Sequence, residues 1–305
     1  MKELFVKEAR TPENWWDLSG RLFIGKGRAG FRLFILIFVL FLATITKPRC
    51  FHLTPLAVYA YRCTKNRGDM VRAGLKILLI LIVTTLIALY AIAVGLLSRS
   101  GRHYHHIGRF WSRLLLKISG IRVNVQGSDR IQKGEHYIYV TNHASAFDIP
   151  IVVGCIPDDV RIVYKKELER IPVFGWSLAV GHYIRIDRSK ARGAVRSLEE
   201  AAEKMRHGAS VLLFAEGTRT LTGKLQEFKR GAFSLALKAA VPIIPVTING
   251  SFKILPKNKF RINPGTVELI VHPPIPVTVQ GGKYNELQLM EQVRTAIAST
   301  YTDQS

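Results

Sequence analysis

The sequence predicts an α/β fold, a mixed, largely parallel sheet flanked by helices, preceded by an N-terminal pair of membrane-embedded helices. Two observations support this prediction. After residue 100, short strand patterns alternate with helical patterns, and before it lie two apolar runs. We therefore predict a membrane-associated helical region at 1–100 and an α/β domain at 101–305.

The second apolar run, residues 77–97, contains 21 uncharged residues. As a helix it would be about 31 Å long, enough to cross a bilayer core. The first run, residues 33–45, has 13 residues and would reach about 20 Å, which fits a re-entrant or interfacial helix or a span lengthened at its ends. Cations flank both runs, so their distribution does not decide the topology. We favour a hairpin that returns to the cytoplasmic face over ordinary spans.

The charge balance indicates a phosphate-rich partner. The chain has 44 Lys and Arg against 22 Asp and Glu, a formal charge of +22. Apolar residues make up 48% of it and the mean hydropathy is +0.14, which favours membrane lipids over nucleic acid. Three cysteines, Cys50, Cys63 and Cys155, lie at no metal-binding spacing and indicate a domain that faces a reducing compartment.

The strand and helix patterns of the second region alternate along the chain. Strands are predicted at 121–127, 137–142, 161–166, 183–187, 210–216, 242–248 and 266–272, and helices at 106–119, 147–154, 191–207, 230–240 and 285–300. In such a fold, the carboxyl ends of parallel strands hold the ligands.

Two motif-like clusters fail the tests of their context. Gly25, Gly27 and Gly30 have dinucleotide-loop spacing, but no clear strand precedes them and no acidic residue follows at the required distance. The histidines at 103, 105 and 106 lack a fourth ligand at a recognised spacing. We therefore predict neither a metal nor a bound cofactor.

His143 and Asp148 are the predicted catalytic pair. His143 follows a predicted strand, and Asp148 comes five residues later in the first turn of the next helix. A neutral imidazole can take a proton from an alcohol while a carboxylate on its other nitrogen fixes the tautomer. Ser145 lies between them without a G-x-S-x-G elbow, so helix capping is the favoured interpretation over a nucleophile.

Four segments carry a family resemblance. NHASAFD (142–148) resembles the N-H-x-x-x-x-D signature of the glycerolipid acyltransferases, the family of 1-acylglycerol-3-phosphate acyltransferases. FGWSLAVGHYIRIDRS (174–189) is similar to the family's glycine-led apolar strand ending in Ile-Asp-Arg, and FAEGTRT (214–220) to its F-P-E-G-T-R-S. VPIIPV (241–246) matches the last motif, although its residues look like core. Four segments in the family's order make the resemblance specific.

The resemblance implies a substrate-binding set that comprises Arg185, Arg188, Glu216, Gly217, Thr218, Arg219 and Lys229. Arg188, alone or with Arg185, would hold the substrate phosphate. Gly217 permits a tight turn after the strand, and Arg219 can bind a phosphate with two parallel hydrogen bonds. Glu216 would orient Arg219 or bind a glycerol hydroxyl, and Lys229 would add positive potential.

The implied reaction moves a fatty acyl group from acyl-CoA or acyl carrier protein to the sn-2 hydroxyl of 1-acyl-sn-glycerol-3-phosphate (lysophosphatidic acid), giving phosphatidic acid. Another lysolipid or glycerol-3-phosphate is the alternative acceptor, and a non-enzymatic basic membrane-anchored binding protein is the alternative class. The expected location is a membrane, the inner membrane if the protein is bacterial, with the catalytic domain on the cytoplasmic side.

Overall fold

A computed structural model describes residues 56–97, 101–181, 183–186, 199–203, 205, 208–259, 261–279 and 282–303. All of them belong to the second of two structural units, Pro55–Ser305. The first apolar run, the glycine cluster at 25–30 and Arg188 lie outside the described residues. The predicted pairing of two membrane helices and the domain boundary at residue 100 therefore stay predictions.

A seven-stranded sheet forms the centre of the described chain. Its strands are β1 (Ile121–Gln126), β2 (Ile138–Thr141), β3 (Val160–Lys165), β4 (Ile184–Ile186), β5 (Ser210–Phe214), β6 (Ile243–Asn249) and β7 (Gly265–Val271). Their spatial order is β1–β7–β6–β2–β5–β3–β4, and every neighbouring pair is parallel except β6 and β7. This confirms the predicted mixed, largely parallel sheet. Two short strands, β8 (Thr278–Val279) and β9 (Gly282–Lys283), pair separately.

Helices cover both faces of the sheet. They are α1 (Leu56–Leu97), α2 (Gly101–Ser119), α3 (Asp148–Cys155), α4 (Phe174–Val180), α5 (Gly231–Ala239), α6 (Ser251–Ile254) and α7 (Glu286–Ala298). The alternation of side chains along β2 explains the two layers, because Tyr139 packs with α2 and α3 while Ile138 and Val140 pack with α5 and α7. The sheet is therefore buried on both sides.

One helix was not predicted from the sequence, and one predicted helix is described only in part. Residues 174–180 form the helix α4, for which no helix or strand was predicted, and residues 184–186 are extended within the strand predicted at 183–187. Gly175 explains the local packing, since a Cβ there would collide with the backbone of Leu168 and Glu169. The helix predicted at 191–207 is described only at 199–203 and 205, and these residues are helical.

Helix α1 contains Val71–Leu97, which among the described residues is the one helical stretch long and apolar enough to cross a bilayer, with a mean hydropathy of 2.9. It packs against α2 and α4. At one end Lys76 Nζ donates to the Ser119 carbonyl (3.4 Å), and midway Trp111 Nε1 donates to Thr84 Oγ1 (3.1 Å). Its opposite face exposes leucines, including Leu86 and Leu89.

Near the other end of this stretch, Gly95 of α1 lies against α4. A Cβ at this position would collide with Val180 of α4, so only glycine lets the two helices approach so closely. Gly74, on the same helix, has nothing within 4 Å of its Cβ position. Substitutions at Gly95 and Gly74 therefore distinguish the effect of helix packing on stability from the effect of helix propensity.

We expect Gly95→Leu to lower the free energy of unfolding by about 1–3 kcal/mol, the usual cost of overpacking. Gly74→Leu should leave it unchanged or raise it slightly, because leucine favours helix over glycine. Thermal unfolding in detergent, followed by circular dichroism, measures both. Equal effects of the two substitutions would contradict the packing of α1 on α4.

Candidate active site

The candidate site lies at the carboxyl ends of four adjacent strands. In the order β6–β2–β5–β3, these strands run parallel to one another, so the segments that follow them meet at one edge of the sheet. His143 follows β2, Glu216 to Arg219 follow β5, Lys165 ends β3, and Lys257 follows β6 and α6. Residues remote in sequence are thereby brought together.

The structure places His143 and Asp148 in direct contact. The Nδ1 atom of His143 lies 2.8 Å from Asp148 Oδ2, so Nδ1–H donates to the carboxylate. Asp148 is the first residue of α3, and His143 lies in the turn before it, which is why a spacing of five residues still permits the contact. The side chain of Asp148 is fully buried, whereas that of His143 is 16% exposed.

Asp148 also organises the turn between the two residues. Its Oδ2 atom accepts the backbone N–H groups of Ala144 and Ser145, each at 2.8 Å. The prediction that Ser145 caps the helix is wrong, because Phe147 is the N-cap residue and no side chain caps it. The Ser145 hydroxyl instead accepts the Phe147 N–H (3.2 Å) and donates to the Leu255 carbonyl (3.1 Å).

The loop after β5 fixes the backbone of His143. The His143 N–H donates to Glu216 Oε1 (2.6 Å), and the His143 carbonyl accepts the N–H of Thr220 (2.9 Å). Glu216 Oε2 accepts both the backbone N–H and the side-chain amide of Gln226. Both oxygens of Glu216 are thus used, and neither contacts Arg219. The prediction that Glu216 orients Arg219 is wrong, whereas its binding of a substrate hydroxyl stays a prediction.

Burial raises the pKa of the Glu216 carboxyl above its ordinary value, although the hydrogen bonds from Gln226 and from the His143 N–H oppose the shift. The three groups that contact Glu216 all donate, which favours the ionised carboxylate. Glu216 therefore fixes the backbone of His143 through this hydrogen bond.

Asn142 and Phe214 complete the support. The Asn142 side chain pairs with both the N–H (2.8 Å) and the carbonyl (2.9 Å) of Ile248, which ties the end of β2 to β6. The ring of Phe214 stacks on that of His143, with 3.8 Å between centroids and 18° between planes. With backbone, Nδ1 and one ring face occupied, Nε2 is the ring atom left without a partner among the described residues.

A cavity of about 540 Å³ opens beside His143. At the edge of the sheet its lining is polar and comes from Lys165, Gly217, Thr218, Arg219 and Lys257. Away from that edge the lining is mostly apolar and comes from α1, α2, α3 and α4, with Ile87, Trp111, Val153 and Leu178 as examples. The site thus combines one base, a group of cations and an apolar chamber.

The predicted phosphate-binding residues divide into two groups. Gly217, Thr218 and Arg219 line the cavity, and Gly217 has the positive φ of 72° that the tight turn requires. Arg219 has no carboxylate partner among the described residues. Arg185 and Lys229 are absent from the described lining.

Arg185 lies near a carboxylate, and Lys229 lies behind the turn at Gly217. Arg185 lies 3.7 Å from the carboxylate of Glu169. The Lys229 side chain lies beside Gly217. A Cβ atom added to Gly217 would lie 3.1 Å from Lys229 Nζ. Substrate binding by Arg185, Lys229 and Arg188 stays a prediction.

Sequence reasoning missed two cations of the cavity, Lys165 and Lys257. Lys165 is the last residue of β3, and a search of every strand's carboxyl end would have found it. Lys257 comes eight residues after β6, beyond the short helix α6, and only the tertiary structure brings it to the site. Its Nζ donates to Thr218 Oγ1 at 3.2 Å.

Comparison with known proteins agrees with this geometry. A sequence profile of the family described as Acyltransferase matches residues 122–249. The chain is 34% identical to a chloroplastic 1-acyl-sn-glycerol-3-phosphate acyltransferase of Brassica napus over 185 residues, covering 60% of this chain and 53% of that protein. It is 31% identical to a 1-acyl-sn-glycerol-3-phosphate acyltransferase of Pseudomonas aeruginosa over 175 residues, covering 56% of this chain and 67% of that protein.

The fold is similar to a solved structure as well. The crystal structure of the 1-acyl-sn-glycerophosphate (LPA) acyltransferase, PlsC, from Thermotoga maritima superposes with a TM-score of 0.65 at 28% identity, covering 76% of this chain and 95% of that one. The match to the first curated relatives spans little more than half of their length, as with the 53% for the Brassica protein.

Proposed function

We propose that this chain, which belongs to the acyltransferase family of 1-acyl-sn-glycerol-3-phosphate acyltransferases, transfers a fatty acyl group from a thioester to the sn-2 hydroxyl of lysophosphatidic acid. The observation that carries the proposal is His143, held by Asp148 with Nε2 free, between a cationic edge and an apolar chamber. The product is phosphatidic acid, a precursor of phospholipids.

The proposed chemistry needs one base. Nε2 of His143 takes the proton of the acceptor hydroxyl as its oxygen attacks the thioester carbonyl. The Asp148 carboxylate stabilises the imidazolium through Nδ1–H. When the carbon–sulfur bond breaks, Nε2–H returns the proton to the departing thiolate, so the products are the ester and a free thiol. No covalent acyl-enzyme is required.

The two parts of the cavity suit the two parts of the substrates. Arg219 would hold the phosphate of lysophosphatidic acid with two parallel hydrogen bonds. The apolar chamber behind His143 would receive a fatty chain, because burying its methylene groups stabilises binding by about 0.8 kcal/mol each. Acyl-CoA and the thioester of acyl carrier protein are the two proposed donors, and glycerol-3-phosphate or another lysolipid is the alternative acceptor.

The packing of α1 shapes the proposed membrane attachment. Helix α1 contacts α2 and α4 from Lys76 to Gly95. If α1 crossed the bilayer, the charged side chains of α2 would also lie inside the hydrocarbon core, which is unfavourable. We propose instead that the region 1–100 is embedded from the cytoplasmic side, with the domain 101–305 resting on the membrane. Four cavity residues, Thr84, Ile87, Ala88 and Ala91, come from α1, so in this arrangement the chamber would lie next to lipid.

We expect His143→Ala to lower acyl transfer by at least about 100-fold, since general base catalysis contributes roughly 10²–10⁴-fold. Asp148→Asn should also lower kcat, because the amide cannot stabilise the imidazolium. The assay uses purified protein in lipid nanodiscs with lysophosphatidic acid or glycerol-3-phosphate as acceptor and acyl-CoA or acyl carrier protein as donor. Mass spectrometry identifies the products.

His106→Ala is the matched control, since His106 is exposed on α2 and lies outside the described cavity lining. It should retain wild-type turnover. Wild-type turnover by the His143→Ala variant would refute the proposed mechanism. A wild-type protein inactive on every acceptor and donor would refute the proposed function.

The membrane proposal is tested by cysteine labelling in sealed vesicles, after Cys50, Cys63 and Cys155 are replaced by serine. Leu89→Cys, on the exposed face of α1, should resist a membrane-impermeant maleimide. Arg72→Cys and the control Leu287→Cys, an exposed position on α7, should both react from the same side. Labelling of Arg72→Cys only from the opposite side would show that α1 crosses the bilayer.

A further inference from the structure

Lys257 reaches the active site on a loop that none of the four motif segments contains. This loop, residues 250–264, follows β6 and is tied down at several points. The Ser145 hydroxyl donates to the carbonyl of Leu255 at 3.1 Å, which joins the loop to the turn between His143 and Asp148. The N–H of Asn263 donates to the Ile254 carbonyl at 3.0 Å, which closes the base of the loop. These hydrogen bonds therefore fix the loop on both sides of Lys257.

The ammonium group of Lys257 faces the loop that carries Arg219. Its Nζ donates to Thr218 Oγ1 at 3.2 Å, and Lys257, Thr218 and Arg219 line the same cavity as His143. The partner of Lys257 is a neutral hydroxyl, which leaves its charge uncompensated in the part of the chain that the structure describes. Two ammonium protons stay available to a ligand.

Lys165 and Arg185 differ from Lys257 because each lies near a carboxylate. Lys165 also lines the cavity, but its Nζ lies 3.3 Å from Glu167 Oε1. Arg185 is paired with Glu169. Within the described lining, Arg219 and Lys257 are thus the cations without a carboxylate partner, and together they present two positive charges.

This charge count distinguishes two classes of acceptor. A phosphomonoester carries a charge of about −2 near neutral pH, whereas the phosphate of a phosphodiester lipid carries −1. A monoester also has three terminal oxygens, enough for a bidentate contact with a guanidinium and a separate contact with an ammonium group.

We propose that Lys257 is the second cation of the phosphate site and that, with Arg219, it selects phosphomonoester acceptors over phosphodiester lysolipids. The inference rests on the proposed acyltransferase function and deepens it. Lys257 exchanges its hydrogen bond to Thr218 for one to the terminal phosphate, and so contributes a charge that a phosphodiester does not need. Its contact is the same before and during the reaction, so it acts on binding rather than on the chemical step.

The test compares two acceptors, lysophosphatidic acid and lysophosphatidylglycerol, with full-length protein in nanodiscs of neutral lipid. Lys257→Ala should raise KM for lysophosphatidic acid about 10- to 100-fold, the usual effect of losing a hydrogen bond to a charged group, while kcat changes little. The kcat/KM ratio of the first acceptor to the second should fall by a similar factor. Lys257→Arg should restore most of the preference, because it keeps the charge.

Lys259→Ala is the matched control, because Lys259 is exposed on the same loop and lies outside the described cavity lining. It should keep the wild-type ratio. If Lys257 served only to position the loop of Thr218, its replacement by alanine would lower kcat for both acceptors and leave the ratio unchanged. That result, or wild-type KM in Lys257→Ala, would overturn the inference.

A separate binding measurement keeps this inference distinct from the proposed function. The thermal shift of the protein with each lysolipid reports binding without turnover. An inactive wild-type protein whose shift with lysophosphatidic acid depends on Lys257 would refute the function and support the anion site. An active wild-type protein whose shift is unaltered by Lys257→Ala would refute the inference and leave the function intact.

Discussion

The hydrogen bond from His143 Nδ1 to Asp148 is the interaction on which the site depends. Neighbouring contacts support it. Asp148 also holds the turn between the two residues, Glu216 and Thr220 hold the His143 backbone, and Asn142 ties β2 to β6. These contacts come from three different strand ends, so the imidazole is positioned by the sheet itself. Such preorganisation removes most of the rotational freedom that a surface histidine would have and directs Nε2 toward the cavity.

The sheet and helix α1 together place the partly buried His143 where the proposed lipid substrate could reach it. Parallel strands gather the cations at one edge, while the helices on that face of the sheet build the apolar chamber. Because α1 forms part of the chamber wall and also exposes a leucine-rich face, the chamber lies close to the proposed bilayer surface. A lysolipid would therefore need to move only a short distance from its leaflet, with its phosphate staying at the polar edge.

Sequence patterns predicted the strand and helix order well, because period-two and helical hydrophobic patterns survive in each element. They missed α4, because a short apolar segment is compatible with either a strand or a helix and the close approach of Gly175 to the Glu169 backbone depends on the tertiary fold. They also placed His143 near Asp148, since the two are close in sequence. The hydrogen bond of Glu216 to the His143 backbone and the position of Lys257 in the cavity could not be predicted, because both depend on contacts between segments remote in sequence.

The central claim is that Asp148 holds His143 in the tautomer that leaves Nε2 free to accept a proton. Nitrogen-15 NMR of histidine-labelled protein in nanodiscs tests it directly, with a His143→Gln variant to assign the signals. In the neutral ring of His143 without substrate, we expect the proton on Nδ1 and none on Nε2. A ring protonated at Nε2 and bare at Nδ1 would contradict the account.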